Sequence, residues 1–170
     1  MLDCFSYSGA FGIYAALADA KSVTTIDSSQ PACDLAKKNF ALNDVPGPVL
    51  CQDVETALKN YAQQKNKFDI IVLDPPAFAK TKKNYFAALR KYQQLNALAL
   101  KLISPNGLLI SCSCSHHVSR ADFMKVLAGA SQDAERFTQI IELRSQSKDH
   151  PISPAMPETE YLKCAWVRVV

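Results

Sequence analysis

The chain alternates between short apolar runs and segments in which apolar residues recur at every third or fourth position. Uninterrupted or β-branched runs predict strands, and the longer recurrence predicts helices. The run at 68–74 (FDIIVLD) is continuously apolar, which is typical of a strand covered on both faces. The predicted strands cover 1–5, 22–27, 49–51, 68–74 and 108–114, and the predicted helices cover 10–20, 29–43, 53–64, 85–103 and 119–130.

The order of these segments predicts the fold class. Five consecutive β/α units favour an α/β, doubly wound sheet with helices on both faces. Residues 137–143 and 161–170 predict two more strands with no helix between them, so these two are expected to pair antiparallel. We therefore predict one domain over 1–170, built on a mostly parallel seven-stranded sheet with an antiparallel C-terminal strand. Such sheets bind ligands beyond the carboxyl ends of their strands.

Composition narrows the class of protein. The 170 residues are 48% hydrophobic and 21% charged, with a net charge of +3, as in an ordinary globular domain. No run approaches the roughly 20 apolar residues of a membrane helix, and the first residues lack the features of a signal peptide. We therefore expect a cytoplasmic protein with reduced thiols and no membrane partner. The six cysteines include no Cys-x-x-Cys pair, and no metal site is predicted.

Residues 5–12 (FSYSGAFG) join the first predicted strand to the first helix and form a glycine-poor relative of a nucleotide-binding loop. Gly9 allows the backbone to turn close to a ligand, and Gly12 allows the helix to approach the sheet. The full G-x-G-x-x-G pattern is missing, so no pyrophosphate cradle is expected. A plain strand-to-helix turn is the alternative.

Two carboxylates follow the next two strands. Asp27 lies roughly 20 residues after the loop, where an acidic residue can accept from both ribose hydroxyls. Asp53 can accept from an adenine amino group, although each carboxylate can equally cap the helix that follows it. Loop, Asp27 and Asp53 together predict an adenosine-shaped site with no phosphate clamp. This pattern favours S-adenosylmethionine (SAM) over NAD.

The turn Asp74-Pro75-Pro76 ends the central strand. Two prolines fix the backbone and remove two donors, so the turn is stiff and its carbonyls are free to accept. A carboxylate at this point can accept from the amino edge of a planar base, and a simple strand stop is the alternative. Amino-group methyltransferases with a similar motif carry an aromatic residue directly after the second proline. Here Ala77 takes that place and Phe78 follows, which disfavours amino-group methylation.

The fifth strand ends in the sequence SCSCSHH at 111–117. A thiolate at a strand end in a ligand cleft is a candidate nucleophile, whereas a buried cysteine packs as a small hydrophobe. Cys112 and Cys114 are two residues apart and share a face, so periodicity does not choose between them. His116 and His117 are interpreted as polar loop residues, or one of them tunes the thiol. A metal site built from these residues lacks a distant Cys/His pair.

Taken together, these segments resemble the RlmI-like family of class I SAM-dependent methyltransferases, which act on cytosine C5 in large-subunit ribosomal RNA. The resemblance implies a Rossmann-like fold, SAM as donor, S-adenosyl-L-homocysteine as product, and RNA as substrate. It is carried by LDCFSYSGAFG at 2–12, Asp27-x-Ser29, LND at 42–44, QDV at 52–54, FDIIVLDPPAF at 68–78, SCSCS at 111–115, DHP at 149–151, PE at 157–158 and YLK at 161–163. The implied cofactor-binding residues are Phe5, Ser6, Tyr7, Ser8, Gly9, Asp27, Ser28, Asp53, Val54, Asp74 and Pro75.

The resemblance also implies a mechanism, with Cys114 as the nucleophile and Asp74 holding the cytosine. A thiolate adds to C6, which makes C5 enamine-like, and C5 then takes the methyl group before the thiol leaves. RNA cytosine methyltransferases of the two-cysteine type carry a second cysteine where this chain has Ala77, so another base, Asp74 or a water, must remove the C5 proton. Family members carry an RNA-binding PUA domain and a β-rich region upstream, so the chain is expected to be a catalytic domain.

Basic residues at 80–83 and 90–91, interleaved with Phe78, Tyr85 and Phe86, predict an RNA-contacting edge, with Pro76, Phe78 and Lys80 nearest the substrate. A solvated charged loop is the alternative. Three other functions stay open: an amino-group or small-molecule methyltransferase, a non-catalytic fragment that binds SAM or RNA, and a nicotinamide dehydrogenase. A homodimer is left open as well.

Overall fold

The computed structural model describes residues 1–79 and 81–170, without the side chains of Lys82 and Pro157. Within these residues, strands and helices alternate up to the fifth helix, and two strands complete the chain. The strands are β1 (Leu2–Cys4), β2 (Thr24–Asp27), β3 (Val49–Cys51), β4 (Phe68–Leu73), β5 (Ile103–Ser113), β6 (Thr138–Arg144) and β7 (Lys163–Val169). The α-helices are α1 (Ala10–Leu17), α2 (Gln30–Leu42), α3 (Val54–Gln63), α4 (Tyr85–Leu102) and α5 (Arg120–Asp133).

The sheet has the strand order β3-β2-β1-β4-β5-β7-β6. The first five strands in this order run parallel, whereas β7 lies between β5 and β6 and is antiparallel to both. The prediction of a doubly wound, mostly parallel seven-stranded sheet with an antiparallel C-terminal strand is confirmed. Strand order reverses between β1 and β4, and a crevice at the carboxyl ends of these strands is the expected ligand position.

Side chains at the predicted positions cap three of the helices. Ser29 accepts from the amide of Ala32 at the start of α2, and Asp53 accepts from the amide of Thr56 at the start of α3. Ser119 and Asp122 form the predicted capping box of α5. Helix α1 differs, because its N-cap is Gly9 and it ends at Leu17 rather than at the predicted residue 20.

Strand β5 begins earlier than predicted. The sequence predicts a helix over 85–103 and a strand only from residue 108, but β5 starts at Ile103, directly after α4. Its pairing with β4 skips from Phe68↔Ile103 to Ile70↔Leu108, so the extra residues form an irregular bulge. The residues Pro105, Asn106 and Gly107 indicate where the regular backbone is interrupted. They do not show that residues on both sides of the interruption pair with β4.

The core lies between the central strands and the helices that cover them. Ile71, Val72 and Leu73 are fully buried, whereas Asp69 and Ile70 are exposed, so only the second half of β4 is covered on both faces. Four buried polar side chains belong to the segments around the carboxyl ends of β1 and β5: Asp3, Ser113, Ser115 and Lys163. Burying polar groups is costly unless they are hydrogen-bonded, so their partners help to define the crevice.

Candidate functional site

A cavity of about 560 Å³ lies at the carboxyl ends of β1, β2, β4 and β5. We name its two sides by the residues that form them. The loop half consists of Phe5, Tyr7, Asp27 and Ser28, and the thiol half consists of Asp74, Pro75, Pro76, Cys114, Tyr161 and Leu162. Eight of these ten residues were predicted site residues. Tyr161 and Leu162 were not assigned a role, although they belong to the YLK motif at 161–163.

The loop between β1 and α1 has an unusual backbone. Phe5, Tyr7 and Gly9 have φ values of 60°, 48° and 78°, so alternate residues are left-handed. For a residue with a side chain this conformation costs roughly 1–2 kcal/mol. The loop is held by the amide of Ser6, which donates to the carbonyl of Ile26 at 3.1 Å, and by the amide of Gly9, which donates to Ser6 at 2.8 Å.

The two glycines of this loop approach protein rather than open space. A Cβ on Gly12 would lie 2.7 Å from Oγ1 of Thr25 in β2, which confirms that Gly12 allows helix α1 to approach the sheet. A Cβ on Gly9 would lie 3.0 Å from the ring of Phe40 and 3.1 Å from Ala36, both in α2. The close approach at Gly9 is therefore to a neighbouring helix.

Asp27 links the loop to the start of α2. Its carboxylate accepts from the amide of Tyr7 and from the amide of Ser29, both at 2.9 Å. An ionised carboxylate has about four lone-pair sites, so two bonds leave capacity for ligand hydroxyls. Asp27 thus bonds the segment that starts the next helix and also lines the cavity, and its contact with ribose hydroxyls stays a prediction.

Asp3, which the sequence reasoning missed, lies in the middle of β1 and is fully buried. One carboxylate oxygen accepts from the amide of Gly12 at 3.0 Å, and the other has no hydrogen-bond partner within the described part of the chain. Burial raises the pKa of Asp3 to about 6, with the bond from Gly12 acting against it and the charges of Asp74 and Asp27 contributing to the rise. The sequence did contain a signal for Asp3: an acidic residue in the middle of a short strand that is otherwise apolar.

Several predicted cofactor-binding residues do not line this cavity. The carboxylate of Asp53 accepts from the amide and the hydroxyl of Thr56, both at 2.8 Å, and the side chain of Val54 is buried in the core. Ser6 is buried, and Ser8 lines a separate cavity of about 310 Å³ beside Tyr14. Contacts of these residues and of Gly9 with a cofactor stay predictions.

Asp74 directly follows β4, and its half-buried carboxylate lines the cavity. Its amide donates to the carbonyl of Cys4 at 3.4 Å, which continues the pairing of β1 and β4 past the end of the strand. Burial raises the pKa of Asp74 above its ordinary value. A carboxylate with a raised pKa at a cavity wall is a candidate for proton transfer.

The structure distinguishes Cys112 from Cys114, which the spacing of the two residues in the sequence could not do. Cys112 is 6% exposed and lies opposite Cys164 in the β5–β7 ladder, and its pKa is raised by its contact with Cys164 and by burial. Cys114 is half-buried, lines the cavity, and donates from Sγ to the carbonyl of Pro75 at 3.8 Å. Burial and the charge of Asp74 raise the pKa of Cys114, whereas Lys163 lowers it. Cys114 is the thiol that a bound ligand can reach.

Buried side chains fix the segment that carries Cys114. Ser115 shares a hydrogen bond with the hydroxyl of Tyr92 at 2.9 Å and accepts from the amide of Ala79 at 3.1 Å. Lys163 donates from Nζ to the carbonyl of Ser115 at 2.7 Å. The segment is therefore tied to α4, to the turn after β4 and to β7.

The predicted RNA-contacting residues lie in different environments. Phe78 is half-buried, with its ring 4.8 Å from that of Tyr92, and Lys91 forms an ion pair with Glu55. Phe86 is 70% exposed at the start of α4, next to exposed Lys83. Lys80 lies outside the described residues.

The two histidines after Cys114 pack edge to face on each other, with ring centroids 5.3 Å apart. His116 lines a second cavity of about 440 Å³ together with Arg120, Glu158, Glu160 and Lys163. Within residues 1–79 and 81–170, no group of three His, Cys, Asp or Glu side chains is arranged to hold a metal ion. Among the same residues, no helix is long and apolar enough to cross a membrane.

The sequence of the chain matches a known protein family and several named relatives. Residues 1–136 match the family model described as "Conserved hypothetical protein 95". The Ribosomal RNA large subunit methyltransferase I of Aeromonas salmonicida (strain A449) is 46% identical over 171 residues, which cover 99% of this chain and 43% of the relative.

Two solved structures share the fold. One is a putative methyltransferase complexed with SAH, with a TM-score of 0.87 and 25% identity, and the match covers 99% of this chain and 44% of that one. The other is a putative SAM-dependent methyltransferase from Streptococcus mutans, with a TM-score of 0.86, 23% identity and the same two coverages. The chain thus spans less than half the length of each of these proteins.

Proposed function

Because the chain belongs to the Conserved hypothetical protein 95 family and to the RlmI-like methyltransferases, we propose that it methylates C5 of a cytosine in RNA, with SAM as donor. Large-subunit ribosomal RNA is the proposed substrate, and the chain is the proposed catalytic domain. The observation that carries this proposal is one cavity lined by Asp27, Asp74 and Cys114. These residues supply a ribose acceptor, a base acceptor and a nucleophile.

The charge of the cavity fits SAM as the bound cofactor. Asp27 and Asp74 line the cavity and Asp3 lies buried within β1, so the site is rich in carboxylates. SAM carries a sulfonium cation, which such a site attracts, whereas a dinucleotide brings a pyrophosphate that it repels. When bound, SAM supplies an electrophilic methyl group. Asp27 would hold the ribose hydroxyls, and Phe5 and Tyr7 would contact the adenosine.

The chain's own residues then perform the remaining chemistry. The Cys114 thiolate adds to C6 of the cytosine, and the π electron pair of the C5–C6 bond forms the new bond from C5 to the methyl carbon. The bond from that carbon to the sulfonium sulfur would break, and S-adenosyl-L-homocysteine would leave. Removal of the C5 proton then lets the C5–H electron pair re-form the C5–C6 double bond and expel the thiolate, so the enzyme is regenerated. Asp74 holds the amino edge of the base and is the proposed proton acceptor, which its raised pKa favours.

RNA would approach from the side of the turn after β4. Exposed Phe86 can stack on an unpaired base, and exposed Lys83 and Arg90 can contact phosphates. The target base itself must leave its stack to reach Cys114, as for other enzymes that modify nucleobases.

The test is transfer of label from methyl-labelled SAM to unmodified large-subunit ribosomal RNA, followed by digestion to nucleosides. The proposal predicts label in 5-methylcytidine, and RNA from cells that already carry the modification serves as the unreactive control. Label on a ring nitrogen, an exocyclic amine or a ribose would contradict C5 chemistry. SAM binding without any transfer to RNA would contradict the proposal that this chain is the catalytic domain.

A further inference from the structure

Lys163, the first residue of β7, is a buried cation that bonds the thiol half from outside its lining and itself lines the second cavity, with Glu158 and Glu160. Its side chain is 8% exposed, and within the described residues no carboxylate lies within ion-pair distance. Lysine is almost never fully buried unless it is paired. Its Nζ donates instead to two main-chain carbonyls, of Ser115 at 2.7 Å and of Tyr161 at 2.8 Å. A neutral residue of similar size would spare the protein the cost of burying a charge.

The two carbonyls belong to the two segments that close the thiol half. Ser115 directly follows Cys114, and Tyr161 lines the cavity from the segment before β7. The hydroxyl of Ser115 is fixed separately by Tyr92 and by the amide of Ala79. Lys163 therefore connects two segments of the thiol half, the one that carries the thiol and the one that contributes Tyr161.

We propose that Lys163 is a positioning residue for Cys114, which holds the thiol segment on the cavity wall and stabilises the thiolate through the charge of its ammonium group. An ammonium group has three N–H donors, and the two carbonyls use two of them. The ammonium group forms no ion pair within the described residues, so its charge can act on the neighbouring thiolate. The inference rests on the proposed function in that Cys114 is the nucleophile.

The surroundings of Cys114 disfavour its thiolate form, and a nearby cation offsets part of that effect. Asp74 after β4, Tyr92 in α4 and Cys112 in β5 interact electrostatically with Cys114, and none of them carries a positive charge. Burial and Asp74 both raise the pKa of Cys114, and Lys163 is the cation that lowers it. On the other side, Cys114 and Glu160 favour the charged form of Lys163, while burial lowers its pKa.

The experiment measures the reactivity of Cys114 without SAM or RNA. The rate of alkylation by iodoacetamide is followed against pH for the Cys114 peptide by mass spectrometry, in the unmodified chain and in Lys163→Met, Lys163→Arg and Lys163→Gln. Lys37→Met, an exposed lysine on α2, is the matched control. In Lys163→Met the apparent pKa of the thiol is expected to rise by about one unit, so the rate near neutral pH falls about tenfold. Lys163→Arg is expected to stay within about twofold of the unmodified chain.

Two results of this experiment would contradict the role of Lys163. Equal rates and equal apparent pKa values for Lys163→Met and the unmodified chain would overturn it. If Lys163→Met does not fold, Lys163→Gln and Lys163→Arg replace it, because glutamine retains N–H donors without the charge. Equal rates for these two variants would overturn the electrostatic role.

The outcome is separable from that of the proposed function. If Cys114 reactivity depends on Lys163 but no methyl group reaches RNA, the proposed function fails and the role of Lys163 stands. If the RNA is methylated at C5 but Cys114 reactivity ignores Lys163, this inference alone is wrong. A structural role by itself would lower stability without changing the pH at which the thiol becomes reactive.

Discussion

The two halves of the cavity are held by different kinds of interaction. In the loop half, main-chain amides are the donors. The amide of Ser6 donates to the carbonyl of Ile26, and the amide of Tyr7 donates to the carboxylate of Asp27. In the thiol half, buried side chains of Tyr92, Ser115 and Lys163 hold the segment that carries Cys114.

The difference predicts how each half responds to mutation. Backbone hydrogen bonds persist when most side chains are replaced, whereas a buried polar group that loses its partner costs about 1–3 kcal/mol. The loop half should therefore depend on few side chains, chiefly Asp27, and the thiol half on several buried residues far apart in sequence. Each half can then be disabled while the other is kept.

The largest effect is expected at the thiol. Cys114→Ala should lower the rate of methyl transfer at least about a thousandfold, because C6 of the cytosine then has no nucleophile. The dissociation constant of SAM should stay within about twofold, since the loop half is untouched. Single-turnover transfer from labelled SAM and calorimetric titration measure the two quantities.

Cys112→Ala is the control for that change. Cys112 is buried opposite Cys164 and does not line the cavity, so its loss should lower the free energy of unfolding by about 1 kcal/mol while activity persists. The reverse result, an inactive Cys112→Ala and an active Cys114→Ala, would assign the nucleophile to the other cysteine.

Asp27→Ala should disable the loop half. SAM binding is expected to weaken about a hundredfold, because the ribose loses its acceptor and the amides of Tyr7 and Ser29 lose theirs. Alkylation of Cys114 should proceed at the unmodified rate. Asp53→Asn is the matched control, since asparagine still accepts from Thr56. A comparable loss of SAM affinity in Asp53→Asn would show that Asp53 does more than cap α3.

The third prediction concerns the buried carboxylate of Asp3, which accepts from the amide of Gly12 near the start of α1. Its folded pKa of about 6 lies above the ordinary value near 3.9, so between these values the folded state binds the proton more tightly than the unfolded state does. The stabilisation is complete below about pH 4 and is lost as pH rises through about 6. Asp3→Asn should remove this loss, since the amide oxygen still accepts from Gly12.

The expected gain for Asp3→Asn is about 2–3 kcal/mol in the free energy of unfolding near pH 7, with little gain near pH 4. Urea denaturation of both proteins across this range gives the difference, which cancels the titration of other groups. A difference that does not change with pH would mean that Asp3 is ionised in the folded state throughout.

The smallest effect is expected at Tyr92→Phe. The ring keeps its packing on Phe78 and Phe123, but Ser115 loses a buried partner, at a cost of about 1–2 kcal/mol. Methyl transfer should slow severalfold at unchanged SAM affinity. Tyr14→Phe, at a ring that is 74% exposed, is the control and should change neither quantity. Weaker SAM binding in Tyr92→Phe would show that the two halves are coupled.

Local signals in the sequence predicted the elements and several of their ends. Ser29, Asp53 and Ser119 cap helices where predicted, because a cap depends on residues three positions away. The extent of β5 was not predictable in the same way. The bulge at 105–107 is a break in local pattern, and only pairing with β4 shows that the strand continues through it.

The sequence by itself determined the fold class and most of the residues at the strand ends, because strands of a parallel sheet deliver their carboxyl ends to one edge. The tertiary structure decided which of Cys112 and Cys114 faces the cavity and that Asp3 is buried beside the site. It also decided that Tyr161 lines the cavity and that Lys163 bonds the segments of Ser115 and Tyr161. The reason is that burial and long-range hydrogen bonds are properties of the whole packing. No window of neighbouring residues contains both Ser115 and Lys163, yet their contact shapes the thiol half.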